Sequence, residues 1–142
     1  MYWANFLHFY QPPDQSKMML GKVVNEGYRP LLNILSKHPT SKLTFNISGC
    51  LIDLLSQNGF DDVLVMFEKL VYRGQIELTA SVKYHPFLPL LKKEEILRQI
   101  KLNDQSLIRV FGKNSKPAGF YLPEAAYSFN LAKLLSKLGY KW

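Results

Sequence analysis

Two carboxylates and two histidines stand in short motifs where a side chain can reach a ligand. Glu124 follows an aromatic run and a proline in G-F-Y-L-P-E-A-A-Y, residues 119–127, and Glu77 lies in G-Q-I-E-L, residues 74–78. His8 and Gln11 bracket two aromatics in H-F-Y-Q-P-P, residues 8–13, and His85 precedes Pro86 in a proline-rich loop. A carboxylate can act as nucleophile or proton carrier. Imidazole and amide groups supply the convergent donors and acceptors that hydroxyl-rich ligands need. Each residue also has a purely structural alternative. Glu124 sits where a helix-start carboxylate would answer the helix dipole. Glu77 suits an edge strand paired with a cation such as Lys83, while His8 and Gln11 suit a satisfied core histidine and an amide closing a loop.

The elements that must position these groups follow from apolar spacing and punctuation. Residues 2–9 form an apolar, aromatic strand stopped by Gln11-Pro12-Pro13. A polar loop leads to Pro30, which opens a helix ending before Pro39. Residues 43–47 are a second strand, Ser48 caps a helix through Gln57, and Asp61 or Asp62 starts another that stops at Gly74. Q-I-E-L-T-A is a third strand, and a long amphipathic helix then runs to Gly112. After the turn K-N-S-K-P come a fourth strand, G-F-Y-L, and a helix capped by Ser128 and ended by Gly139; Tyr140–Trp142 reads as the start of a further strand. Strand and helix alternating four times predict an α/β fold with parallel strands, as a barrel or a doubly wound sheet. The unusual polar residues His8, Gln11, Asn46, Ser48, Glu77, Thr79, Ser81 and Glu124 read as lying at or just past the strands' carboxyl ends. In a barrel that end carries the active site.

Composition removes several function classes. The chain of 142 residues, 47% hydrophobic and 20% charged, suits one globular domain. A net charge of +7 is spread over scattered lysines such as Lys92, Lys93, Lys133 and Lys137, which predicts solvated helix faces and no nucleic-acid partner. The single Cys50 cannot form an internal disulfide and is expected to be buried and inert. No basic, then apolar leader precedes the first strand, so the expected location is cytoplasmic, and no apolar run nears the roughly 20 residues of a membrane span. His8, His38 and His85 show no H-x-x-x-H spacing, and there is no G-x-S-x-G, G-x-G-x-x-G or Walker pattern, so neither a metal nor another cofactor is expected. Asp53, Asp61, Asp62 and Asp104 fall in helices or their first turns and make poor catalytic acids.

In order and spacing, the stretches 8–13, 74–78 and 119–127 resemble the first three signature regions of glycoside hydrolase family 57. F-N-I-S-G, residues 45–49, and Y-H-P-F-L-P-L-L, residues 84–91, are similar to the family's connecting segments. The resemblance implies an incomplete (β/α)7 barrel, with residues 1–142 a single partial catalytic domain of about four βα units that stops at the start of a fifth strand. It implies a retaining hydrolase or glucanotransferase acting on α-glucans, with an oligo- or polysaccharide as partner. Glu124 matches the nucleophile; the acid/base is an Asp of a fourth region that this chain does not reach. His8, Gln11, Glu77, His85 and Tyr127 match substrate-binding positions, whereas Trp3, Tyr84 and Phe120 are aromatics better placed in the core. The first region departs from the contiguous His-Gln-Pro of many members by the two aromatics between His8 and Gln11. The rival reading is a non-catalytic carbohydrate-binding or scaffold half-barrel.

Overall fold

Two-residue alternation sorts each strand into an apolar and a polar side. The computed structural model describes residues 4–113 and 117–142, so residues 2 and 3 of the first expected strand, Trp3 among them, and 114–116 of the expected turn lie outside the described residues. Four strands form one sheet: β1 (Phe6–Phe9), β2 (Leu43–Ile47), β3 (Ile76–Ala80) and β4 (Gly119–Phe120). They run parallel in the order β1-β2-β3-β4. Phe45, Ile47, Leu78, Ala80 and Phe120 point to one side and are buried. His8, Asn46 and Thr79, in register with one another, occupy the other. Parallel sheets ordinarily bury apolar side chains on both faces. Here only one face does so.

Strand order and curvature separate the two architectures left open by the element pattern. A doubly wound sheet reverses its order at a switch point; this one does not. Neighbouring strands lie about 4.8 Å apart, which would put β1 and β4 about 14 Å apart in a flat sheet. Yet the Tyr121 ring, just past β4, stacks 5.2 Å from Phe6 and lies 4.7 Å from His8, both on β1. The sheet is curled with its polar face inside, as in a section of barrel wall.

The helices cover the outer face: α1 (Lys17–Val23), α2 (Arg29–Lys37), α3 (Gly49–Gln57), α4 (Asp61–Tyr72), α5 (Lys93–Phe111) and α6 (Phe129–Lys137). One apolar cluster joins Phe9, Phe45, Ile47 and Leu78 to α1 through α5, and a second joins Ala80, Val82 and Phe120 to α5 and α6. Cys50 is in the first cluster, and burial pushes its thiol up to about 11, so it stays protonated at neutral pH. Ser48 and Ser128 each accept a hydrogen bond from the backbone N–H three residues on, capping α3 and α6 as expected. Two expectations are corrected. The polar loop before Pro30 is helix, capped by Ser16 and joined to α2 by a π turn at Val24–Tyr28. The fourth strand is two residues rather than four, because the chain turns at Pro123–Ala125, where Pro123 has no N–H to extend a ladder. Tyr140–Trp142 is not a regular strand, but Lys141 N donates to Ala118 O and Phe120 N to Trp142 O, which lays it along β4.

Besides the Ser48 cap, the amino end of α3 is held by a buried side chain of α5. Gly49 N donates to Asn103 Oδ1 of α5 at 2.8 Å, and a Cβ at Gly49 would press on Asn103 and Ser106. Any larger residue there would require α5 to give by a few tenths of an ångström. Replacing Asn103 by Leu leaves the Gly49 N–H buried without an acceptor, a loss of about 1–3 kcal/mol. Urea unfolding of Asn103→Leu against the wild type should show that drop in midpoint with an unchanged slope.

Candidate functional site

A hydrogen-bonded row crosses three strands on the polar face. His8 Nδ1 lies 2.7 Å from Asn46 Oδ1, and Asn46 Nδ2 donates to Thr79 Oγ1 at 3.1 Å. An amide oxygen only accepts, so His8 carries a proton on Nδ1, and in the neutral ring Nε2 is left as an acceptor. Asn46 and Thr79 are almost wholly buried, so the row is rigid. One step above it, Ser81 Oγ donates to the backbone oxygen of Tyr121 at 2.9 Å, tying the end of β3 to the end of β4.

Rings gather over this row. His85 lies 4.9 Å from His8 and 4.7 Å from Tyr10, and Tyr121 lies 4.7 Å from His8 and 6.4 Å from His85. Glu124 completes the group: its Oε1 is 3.5 Å from His85 Nδ1. The two partners differ in environment. The His85 side chain is 11% exposed, whereas that of Glu124 is 67% exposed and open to a ligand. Burial, and next the neighbouring His8, lower the His85 pKa below its ordinary value, and Glu124 only partly opposes them. His85 is therefore neutral at neutral pH. Its Nε2 is buried with no hydrogen-bond partner among the described residues.

The backbone beneath the pair is strained. Among the described residues, only His85 (φ 56), Glu124 (φ 55) and Ala125 (φ 50) adopt positive φ without being glycine. Each costs about 1–3 kcal/mol, and such residues concentrate where a structure holds functional groups. His85 carries a second restriction, since Pro86 follows it. Packing and tethers on both sides hold these conformations in place.

The expected site residues are not all brought together. His8, His85 and Glu124 meet. His8 proves to lie within β1 rather than after it, and Glu124 lies on the turn beyond β4. Gln11 is occupied elsewhere, its amide donating to Tyr28 OH at 3.4 Å, and no contact joins it to the rings among the described residues. Tyr127 stands largely exposed beyond the turn. Glu77 is corrected in position: it is the second residue of β3, near the amino end, in register with Thr44. It shares the polar face with Thr79 but lies about 7 Å lower along the strand. Lys83 is not its partner, being bound to Asp53 at 2.5 Å. An open cavity of about 360 Å³ adjoins Glu77, lined also by Asn5, Lys42 and Thr44. Phe120 packs in the core against Tyr140, and Tyr84 lies under the Lys83 ammonium. Tyr10 and Tyr121 escaped the motif reading. Their two-residue spacing from His8 and Gly119 is the signal that places them on the polar face.

Comparisons with known proteins agree with this geometry. An alpha-amylase of Pyrococcus abyssi is 30% identical over 136 residues, which is 96% of this chain and 20% of that protein. The 4-alpha-glucanotransferase structure from Thermococcus litoralis superposes with a TM-score of 0.87 at 27% identity, covering 97% of this chain and 21% of that one. An alpha-amylase structure from Thermotoga maritima gives a TM-score of 0.78 at 20% identity over 97% of this chain and 38% of that one, a likeness of fold. The chain thus spans about a fifth of the length of the curated relatives it matches. The curved parallel sheet, the ring-lined polar face and a family model matched over residues 4–142 lead to one assignment: the chain belongs to glycosyl hydrolase family 57.

Proposed function

We propose that this chain supplies the nucleophile and part of the sugar-binding surface of a retaining enzyme acting on α-glucans, as hydrolase or glucanotransferase. The observation that carries the reading is the open carboxylate of Glu124, turned toward a buried neutral histidine at the carboxyl end of a curled parallel sheet. The names of the relatives, alpha-amylase and 4-alpha-glucanotransferase, support the substrate class.

In this reading Glu124 attacks the anomeric carbon and forms a glycosyl ester while a second carboxyl protonates the departing oxygen. Water or a sugar hydroxyl then attacks the ester, assisted by the same second carboxyl, restoring Glu124 and the original anomeric configuration. The two carboxyls must stand about 5–5.5 Å apart. Asp53 and Asp62 are engaged by Lys83, Arg109 and Arg29, and the resemblance to the family implies that the second carboxyl is an Asp of a fourth region outside these 142 residues. His85 Nδ1, 3.5 Å from Glu124 Oε1, faces one carboxylate oxygen and leaves the other to attack. His8 Nε2, its tautomer set by Asn46, accepts from a sugar hydroxyl. Tyr10 and Tyr121 wall the pocket, with Gln11 and Tyr127 at its margin and Glu77 on its floor.

A fluorinated α-glucosyl substrate with a good leaving group, given to the full-length protein, should leave a glycosyl ester on the peptide containing Glu124. Glu124→Ala should abolish the label, and azide should restore turnover with inverted product. A label on another carboxylate would return Glu124 to a helix-start role.

Glu77→Gln exchanges an acceptor for a donor on the floor of the site. Catalytic efficiency should fall about tenfold or more with the melting temperature unchanged. A stability loss with intact kinetics would make Glu77 purely structural.

The depressed pKa of His85 has a sign that can be measured. The unfolded chain takes up this proton near pH 6.5, before the folded one does, so His85 contributes stability that is full above that pH and is lost as pH falls toward the folded value. Unfolding free energy should therefore drop more between pH 7 and 5 for the wild type than for His85→Asn. Asparagine tolerates the same backbone and does not titrate.

A further inference from the structure

The segment that carries His85 is anchored by a charge pair outside the site. Lys83 Nζ lies 2.5 Å from Asp53 Oδ2 on α3, with side chains only 12% and 20% exposed. The other oxygen of Asp53 accepts from Ser106 Oγ at 3.1 Å and from Arg109 Nη2 at 2.6 Å, both on α5. Burial pushes the Asp53 carboxyl up, but these donors and Lys83 outweigh it and hold it below the usual range. One carboxylate thus bridges two helices and the chain leaving β3. Beside it, Tyr84 N donates to Gln99 Oε1 at 3.3 Å.

The geometry points to Asp53 and Lys83 as positioning residues: their ion pair fixes the backbone of residues 83–85 so that His85 faces Glu124. Ser81, Lys83 and Tyr84 are each tethered to a different element, β4's continuation, α3 and α5, and Pro86 stiffens the far side. Only His85 is left to take the remaining turn, and it does so at positive φ. A withdrawn lysine is a costly way to gain stability, since a well-packed apolar side chain often does as well. Its use two residues from His85 is explained by direction. An ammonium held by one carboxylate oxygen fixes where the segment lies, which an apolar contact does not.

The inference rests on the reading of Glu124 as nucleophile, and the test separates the two. Histidine-labelled full-length protein, with the His85 imidazole assigned by its loss in His85→Asn, is titrated by NMR for the wild type, Lys83→Met, Lys83→Arg, Asp53→Asn and Arg109→Met. Turnover of a maltooligosaccharide is measured per folded molecule. In Lys83→Met and Asp53→Asn the His85 resonance should move and its midpoint rise toward the ordinary value, with kcat down about tenfold and KM changed less than about twofold. Lys83→Arg should restore both. Arg109→Met removes the other cation from the same carboxylate and should lower stability without moving His85. Should Lys83→Met not fold, Lys83→Gln gives the same readout. Unmoved His85 signals in Lys83→Met and Asp53→Asn, or equal effects from Arg109→Met, would overturn the inference. A wild type that turns over no α-glucan, with His85 still displaced in Lys83→Met, would sink the functional reading and leave the positioning role standing.

Discussion

The row His8–Asn46–Thr79 is the constraint on which the inner face depends. A parallel sheet offers matched residues at each level, and three matched positions here are polar and hydrogen-bonded across strands. Buried polar groups are costly unless satisfied, so the row works only in this register. A slip of one residue in β2 would turn Asn46 into the helix layer and Phe45 and Ile47 inward. Register, tautomer of His8 and apolar outer core are therefore a single choice. The rings and Glu124 are built on top of it.

Above the row, local structure becomes unfavourable while the surrounding packing remains good. Three non-glycine residues at positive φ lie in the two loops that meet at the His85–Glu124 pair. Neither loop would adopt this shape alone. The tethers from α3 and α5 hold the loop after β3, and Ser81 joins that loop to Tyr121 at the end of β4, so the frame sets the pair more than its own 3.5 Å contact does. A buried neutral imidazole beside an open carboxylate leaves the latter free to meet a ligand.

Where the sequence was legible, the code was local. Strand 43–47 and the helices capped by Ser48 and Ser128 follow from short apolar runs and hydroxyl caps, and all three are observed with those bounds or within a residue. Motif order also picked out His8, His85 and Glu124, which the fold brings together, although His8 lies within β1 and not in the loop after it. What was not legible depends on contacts distant in sequence. The height of Glu77 on the sheet is known only from its pairing with Thr44, and motif position alone put it too close to the mouth. The capture of Lys83 by Asp53 and of Gln11 by Tyr28 needs the helices in place. Tyr10 and Tyr121 become wall residues only once the sheet curls.

The π turn at Val24–Tyr28 breaks the regular α-helical spacing of apolar residues ahead of Pro30, and it has a mechanical consequence. Buried positions Leu20, Val24, Tyr28 and Leu32 recur every four residues, and an α-helix turning 100° per residue would drift about 40° at each step. Over three steps the apolar stripe would wander about 120° off the core. The wider turn lets the chain idle for a fraction of a revolution, resetting the phase so that Tyr28 still faces inward and reaches Gln11. The helix is geared to the loop after β1 through Tyr28, and one residue is what the π turn absorbs: with one fewer, the eleven steps from Leu20 to Leu32 would turn about 1,100°, within about 20° of three full turns, and a regular α-helix would keep Leu32 on the core side.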